Sequence, residues 1–393
     1  MTRSRHDAST DPIHVIVISS VRPEPTSGGP VILYRHLVNQ PGIVLEVYGN
    51  EPQRPTISRF IRRVGGRLSR TWLHRFVEDF WVLWEGRWID PELPCTVSDP
   101  SRTVVVTVAH GDGFMAARRF AQRHGLPLVA WFMDWWPDIP DLHRAFRVRL
   151  EANYRSLYAS AGRAVCVSAG MNHELGENPR SIILHDLPAA ATDAPLCPVP
   201  RGAEFRVFYS GNLTEYGPML GQALVESLRH PEMLLQVRGA NPSWPDELRN
   251  HMRNNGRWLD FAPRAELDAW LASADAFLVL MAFDPALRRR MGTSFPSKLI
   301  EFAKFGKPLI VWGPEYCSAI QWARTGNKAL CITDPSPAAL IEGLHHLRDD
   351  APLRAALSDK ARAAAAAEFN PAPIRSRFRE LLHEVIKPAS STT

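Results

Sequence analysis

Short apolar runs alternate with segments of helical period along this chain, and the whole alternation is run through twice. Residues 13–18 are an apolar, mostly β-branched run; a turn-rich stretch from Arg22 to Pro30 follows, and then Val31, Leu33, Tyr34, Leu37 and Val38 recur at helical spacing. The reading is strand, loop, helix. Further strands are expected at 44–48, 103–108, 126–132, 164–167 and 181–184, with helices at 113–124 and 142–160. Strands this apolar must be covered on both faces, which predicts a parallel sheet between layers of helices.

From 188 to 202 the chain turns Ala-, Pro-, Thr- and Asp-rich and loses its periodicity, which marks a linker. A second series follows, with strands expected at 205–209, 234–238, 259–261, 277–281, 309–312 and 329–332, and helices at 220–228, 248–255, 267–273 and 297–305. At 393 residues the chain is long for one core. Two Rossmann-like domains are therefore expected, 1–190 and 203–370, with a last helix at about 371–388, apolar at Ile374, Phe378, Leu381, Leu382 and Val385, packing back on the first.

Several classes drop out. No run of about 18 uncharged apolar residues is present for a membrane span. The first residues are polar and no secretory pattern follows them, so residence in the cytoplasm is expected. The five cysteines (Cys95, Cys166, Cys197, Cys317, Cys331) are scattered without a C-x-x-C pair, which points to buried free thiols and to neither a disulfide framework nor a zinc cage. The formal charge of +5 favours an anionic partner.

An open α/β sheet takes its ligand outside the carboxyl ends of its strands, where helix starts offer amides to phosphate. The most informative loop of that kind is 292–310, Gly-Thr-Ser-Phe-Pro-Ser-Lys-Leu-Ile-Glu-Phe-Ala-Lys-Phe-Gly-Lys-Pro-Leu-Ile. Pro296 suits a first helical turn, and Gly306 and Pro308 suit its end. Ser294, Ser297, Lys298 and the amides up to Leu299 could hold a diphosphate, and Glu301, one turn deeper, could accept hydrogen bonds from the two hydroxyls of a ribose.

This stretch resembles the donor-site helix of retaining, GT-B fold glycosyltransferases, in particular the large GT4 (glycosyltransferase group 1) family, written as a Gly-rich turn, P-S-K-L-x-E and a G-K-P strand. Other stretches agree in order. Thr26-Ser27-Gly28-Gly29-Pro30 is similar to the family's N-terminal glycine loop, or is a plain turn. Residues 164–171 resemble its V-I-x-V-S-x-x-M strand and turn, and Tyr209-Ser210-Gly211-Asn212-Leu213 resembles the loop that opens its C-terminal domain. The resemblance spans roughly residues 13 to 385. It implies a GT-B fold, with two Rossmann-like domains and their parallel sheets facing across a cleft.

Two departures stand out. The family's Glu-x7-Glu pair has Thr293 at its first position, and the lysine that commonly follows the C-terminal loop is missing from Leu213-Thr214-Glu215-Tyr216-Gly217. Arg238 and Lys298 are the substitutes expected for that lysine; Arg288, Arg289 and Arg290 are either further phosphate ligands or a solvated charge run. His110, after an apolar strand and before Gly111-Asp112-Gly113, falls where the family often has a cleft histidine, or caps the next helix. Asp134, in Trp131-Phe132-Met133-Asp134-Trp135-Trp136-Pro137-Asp138, resembles the D-x-W-P-[DE] variant of polysaccharide-assembling members and would contact the donor sugar or the acceptor, unless it caps the next turn.

The segment 54–88 sets eight arginines against three acids, with Trp72, Trp84 and other apolar residues at helical spacings. It is a basic amphipathic surface, suited either to the N-terminal sheet or to an anionic membrane face. Nucleic acid is disfavoured, because no recognition motif accompanies the charge.

The resemblance thus implies a glycosyltransferase that uses a nucleotide-diphosphate sugar as co-substrate, without metal or other cofactor, in polysaccharide or glycolipid assembly. The acceptor would be a glycan or lipid-linked saccharide, and the enzyme cytoplasmic or peripheral on the inner face of the membrane. Asp134, His110 and Glu301 are its expected catalytic residues, with Gly28, Gly29, Gly211, Asn212, Arg238, Ser294, Ser297, Lys298, Leu299 and Glu301 on the donor. A non-catalytic nucleotide-sugar or glycan-binding scaffold is the alternative; an epimerase or phosphorylase on the same fold is a third reading.

Overall fold

The computed structural model describes residues 12–25, 28–48, 97, 99–111, 113–189, 202–211, 213–214, 216–240 and 242–386. The basic segment 54–88, Asn212, Cys95 and Cys197 lie outside the described residues. The chain divides into two units, Met1–Leu184 with Ala372–Thr393, and His185–Pro371.

In the first unit, β1 (Ile13–Ile18), β2 (Ile43–Tyr48), β3 (Thr103–Val108), β4 (Leu128–Phe132), β5 (Arg163–Cys166) and β6 (Ser181–Ile183) form one parallel sheet in the order β2-β1-β3-β4-β5-β6. Every residue of β3 and β4 is buried, as a strand covered on both faces requires. The edge strand β2 is half exposed, and Glu46 there accepts from His14 of β1 at 2.8 Å. The last helix, Pro371–Ile386, belongs to this unit from Ala372 on; its Phe378 lies 5.2 Å from the Trp131 ring of β4, and its Glu384 pairs with Arg163 at 3.1 Å.

In the second unit, β7 (Phe205–Ser210), β8 (Met233–Arg238), β9 (Trp258–Leu259), β10 (Ala276–Leu280), β11 (Leu309–Trp312) and β12 (Leu330–Ile332) form another parallel sheet, in the order β12-β11-β10-β7-β8-β9. Strand order reverses beside β1 in the first sheet and between β7 and β10 in the second. Those are the switch points at which open sheets take ligands.

Some elements are shorter than their sequence pattern suggests. The strand expected at 259–261 is only Trp258–Leu259, because β9 is an edge that buries Trp258 and leaves Phe261 exposed. The helix expected at 297–305 ends at Ala303: Phe305 and Gly306 donate three residues back, to Phe302 and Ala303, and Gly306 takes a φ of +60° that favours glycine. Pro296 stands at the N-cap, one position before the first turn. The helix expected from 142 starts at Arg144, with His143 accepting from the Ala145 amide at 3.3 Å. Arg288–Thr293 forms a helix of its own.

Cys166, Cys317 and Cys331 are free, and burial pushes the Cys166 and Cys317 thiols up to about 12 and about 11. They are inert at neutral pH. Among the described residues no helix is long and apolar enough to cross a membrane.

Candidate functional site

In the second unit two strand ends and one helix start crowd together. The Gly211 amide, just past β7, donates to the carbonyl of Arg238 at the end of β8 at 3.1 Å. A Cβ on Gly239 would lie 2.4 Å from the Gly211 carbonyl oxygen, and a Cβ on Gly211 would lie 2.9 Å from the Tyr209 hydroxyl and 3.3 Å from Lys298 Cε. Missing side chains therefore let the backbone approach the stem of Lys298. Lys298 sits in the first turn of the Ser297–Ala303 helix, at the carboxyl end of the sheet beside the β7–β10 switch point. The structure brings Gly211 and Lys298 together, and adds Gly239, which sequence reasoning passed over although it follows a strand directly.

The other residues of that loop divide their roles. Ser297 is exposed and Leu299 is buried in the core, with its amide donating to the Pro296 carbonyl at 3.0 Å. The Ser294 amide donates to Arg290 at 2.9 Å, and its carbonyl accepts from the Ser318 hydroxyl. Thr293, in the place of the family's first acid, is buried and turns its hydroxyl back onto the carbonyls of Arg289, at 2.9 Å, and Arg290, at 3.3 Å. Arg288 lies over the Tyr316 ring at 4.1 Å.

Glu301 is largely enclosed and already engaged. Its Oε1 accepts from the Ala189 amide at 2.8 Å, and its Oε2 faces Arg264 at 3.6 Å and Lys304 at 3.9 Å. Arg264 and Lys304 also hold buried Asp268, at 2.8 and 3.7 Å, so two acids and two cations form one cluster. The i,i+4 spacing of Arg264 and Asp268 was visible in the sequence; their meeting with Glu301 was not. The Ala189 amide engages Oε1 and the two cations face Oε2, so a ribose hydroxyl would share a carboxylate oxygen with one of them, each oxygen having two lone pairs.

Arg238 is nearly buried: its Nη1 donates to Glu266 at 2.8 Å, and its guanidinium lies 5.3 Å from the Trp270 ring. Trp270 in turn stacks on Phe208 at 4.3 Å. These contacts fix the charge at the end of β8.

The first unit assembles a second group at the ends of β1, β3 and β4. Gly28 takes a φ of +64° and precedes the Gly29–Leu37 helix; a Cβ on Gly29 would lie 3.2 Å from Val21 and 3.5 Å from the sulfur of Met133. His110 follows β3, and its ring lies 3.9 Å from that of Trp136. Its carbonyl accepts from the Ser20 hydroxyl. Gly111 and Gly113 are needed because a Cβ on either would strike Ser20, at 2.2 and 2.6 Å. Burial holds the His110 imidazole below its ordinary value, against the opposing pull of Asp134. It is therefore neutral at neutral pH. The Asp134 carbonyl accepts from the Tyr154 hydroxyl and from the Trp136 amide, both at 2.8 Å, so backbone contacts anchor the residue at the end of β4. Gly29, His110 and Asp134 thus share the carboxyl end of one sheet.

The sequence matches no protein-family model and no curated protein. Solved structures do resemble it in fold. Alr3699/HepE of Anabaena, in complex with UDP, is 13% identical, covering 95% of this chain and 100% of its own, with a TM-score of 0.61. A glycosyltransferase of Rickettsia africae is 11% identical over 96% of this chain and 100% of its own, with a TM-score of 0.58. The N-terminal domain of Candida albicans trehalose-6-phosphate phosphatase is 10% identical over 97% and 98%, with a TM-score of 0.61. The fold is thus α/β of the GT-B class, two Rossmann-like units each built on a six-stranded parallel sheet.

Proposed function

We propose that the chain is a glycosyltransferase of the GT4 kind, moving a sugar from a nucleotide-diphosphate sugar to an acceptor hydroxyl with retention of configuration. The observation that carries this reading is the crowding of Gly211, Gly239 and Lys298 at the carboxyl ends of β7 and β8, beside the switch point where an open sheet takes its ligand. UDP bound to HepE, and UDP-glucose in a second structure of that protein, support a uridine nucleotide as the first donor to test.

The barrier to glycosyl transfer falls when the departing diphosphate is stabilised as its charge develops. In this reading Lys298 and Arg238 supply the cations, the hydroxyls of Ser294 and Ser297 supply donors, Gly211, Asn212 and Leu299 line the donor site, and no metal is required. Glu301 accepts from the donor ribose. Gly28 and Gly29 admit substrate close to the backbone of the first unit. His110, neutral, and Asp134 hold hydroxyls of the reacting sugar or the acceptor, and retention follows from attack on the face the diphosphate leaves. The proposed acceptor is a growing glycan or lipid-linked saccharide of a surface polysaccharide or glycolipid. It would be drawn from the inner membrane face through the basic segment 54–88 by a cytoplasmic, peripheral enzyme.

Two observations favour a second reading, a binding scaffold without turnover: Thr293 directs its hydroxyl back into its own helix, and Glu301 already accepts a backbone amide. Proton NMR of UDP-glucose, and of GDP-, ADP- and TDP-sugars, incubated with the protein and candidate glycan acceptors separates the readings. Transfer that depends on the acceptor and keeps the donor's anomeric configuration supports the proposal. A donor that binds and survives intact supports the scaffold, and interconversion of the free donor supports an epimerase.

A further inference from the structure

At the opposite, amino end of the second sheet, three side chains from two elements converge. His230 and Glu232 lie in the turn between the Gly217–Ser227 helix and β8, and His345 lies on the Pro337–Asp349 helix. His230 Nδ1 and His345 Nε2 are 3.0 Å apart; Glu232 Oε1 is 3.7 Å from the first and 3.5 Å from the second. These separations define a point about 2.0 Å from all three atoms, close to their plane. Zinc binds imidazole nitrogen and carboxylate oxygen at about 2.0 to 2.2 Å.

We propose that His230, Glu232 and His345 form a binding site for a divalent transition cation of the zinc type, separate from the candidate donor site. Two imidazoles and one carboxylate suit zinc, copper or nickel over magnesium or calcium, which prefer all-oxygen ligand sets. Without metal, one proton between the ring nitrogens makes the His230–His345 hydrogen bond; the cation takes that proton's place. Glu232 is also approached by Arg348 Nη1 at 3.2 Å, and Arg348 retains Asp349, at 2.7 Å from its Nε, when the metal claims the carboxylate. Both histidines are less than a third exposed and Glu232 is 43% exposed, so the open coordination position faces water. A bound cation would tie the turn before β8 to the Pro337–Asp349 helix.

The test is titration of the full-length protein with ZnCl2, by calorimetry and by thermal unfolding, beside His230→Ala, His345→Ala, His345→Gln and Glu232→Gln, with MgCl2 as control. One zinc per chain is expected in the wild type, with a raised melting temperature at about 100 μM zinc. Each histidine variant should weaken binding by more than the roughly 10- to 100-fold that loss of an outer-sphere partner costs. Cobalt chloride should give d–d absorption intensified well above that of free aqueous cobalt in the wild type, and lost in the histidine variants. Equal zinc binding by wild type and His345→Gln, equal binding of magnesium and zinc, or no zinc binding at about 100 μM would each overturn the proposal.

Discussion

His36 sets up a quantitative test of how the first unit is built. Its ring is buried between Trp131 and Phe378, at centroid distances of 4.9 and 5.1 Å, and among the described residues neither ring nitrogen has a hydrogen-bond partner. Burial first, and then Arg375 and Arg35, lower its pKa from 6.5 to about 3. The folded state therefore holds the neutral ring, while the unfolded chain takes up a proton below pH 6.5. Stability from this group is fully present above pH 6.5 and drains away as pH falls from there toward 3. Each pH unit in that window costs about 1.4 kcal/mol, so between pH 8 and pH 5 the loss is about 2 kcal/mol. His36→Leu removes the titration at nearly constant volume. Urea unfolding of wild type and variant at pH 8, 7, 6 and 5 reads it directly. The variant should gain about 2 kcal/mol on the wild type between pH 8 and 5, mostly below pH 6.5. Parallel stability curves over that range would refute a buried, unpaired and neutral His36.

Other substitutions test the carboxyl ends of the two sheets. Gly239→Ala pushes a methyl group to 2.4 Å from the Gly211 carbonyl, and overpacking of this kind costs about 1 to 3 kcal/mol; its melting temperature should fall and its diphosphate affinity with it. Tyr154→Phe removes the hydroxyl that the Asp134 carbonyl accepts from, a loss of about 1 kcal/mol in stability. If Asp134 contacts the sugar, sugar transfer should fall in this variant while nucleotide affinity, measured by calorimetry, stays unchanged.

The sheets were legible because parallel strands buried on both faces must be largely apolar, as 128–132 is throughout and 103–108 is apart from Thr103 and Thr107. The helix at Ser297 was legible from its proline and glycine borders, yet its end at Ala303 follows from a tightened last turn that side-chain spacing does not encode. Gly28, Gly29 and Gly211 were read as donor-site glycines, whereas Gly111 and Gly113, fixed by Ser20 some ninety residues earlier, and Gly239, fixed by Gly211, drew no such reading. Glu301 showed the same limit: its position on the helix was readable, while its partners Ala189 and Arg264 are distant in sequence and meet it only in the fold. The His230–His345 pair, 115 residues apart, gave no sequence signal at all.

The most direct test of the proposed donor site is calorimetric binding of UDP, GDP, ADP and TDP to the wild type and to Lys298→Ala. A charge-assisted hydrogen bond is worth about 1.5 to 3 kcal/mol, so one nucleoside diphosphate should bind selectively and lose roughly 10- to 100-fold in affinity without the Lys298 ammonium. Unchanged affinity in Lys298→Ala, or no binding of any diphosphate to the wild type, would contradict a donor site at the ends of β7 and β8.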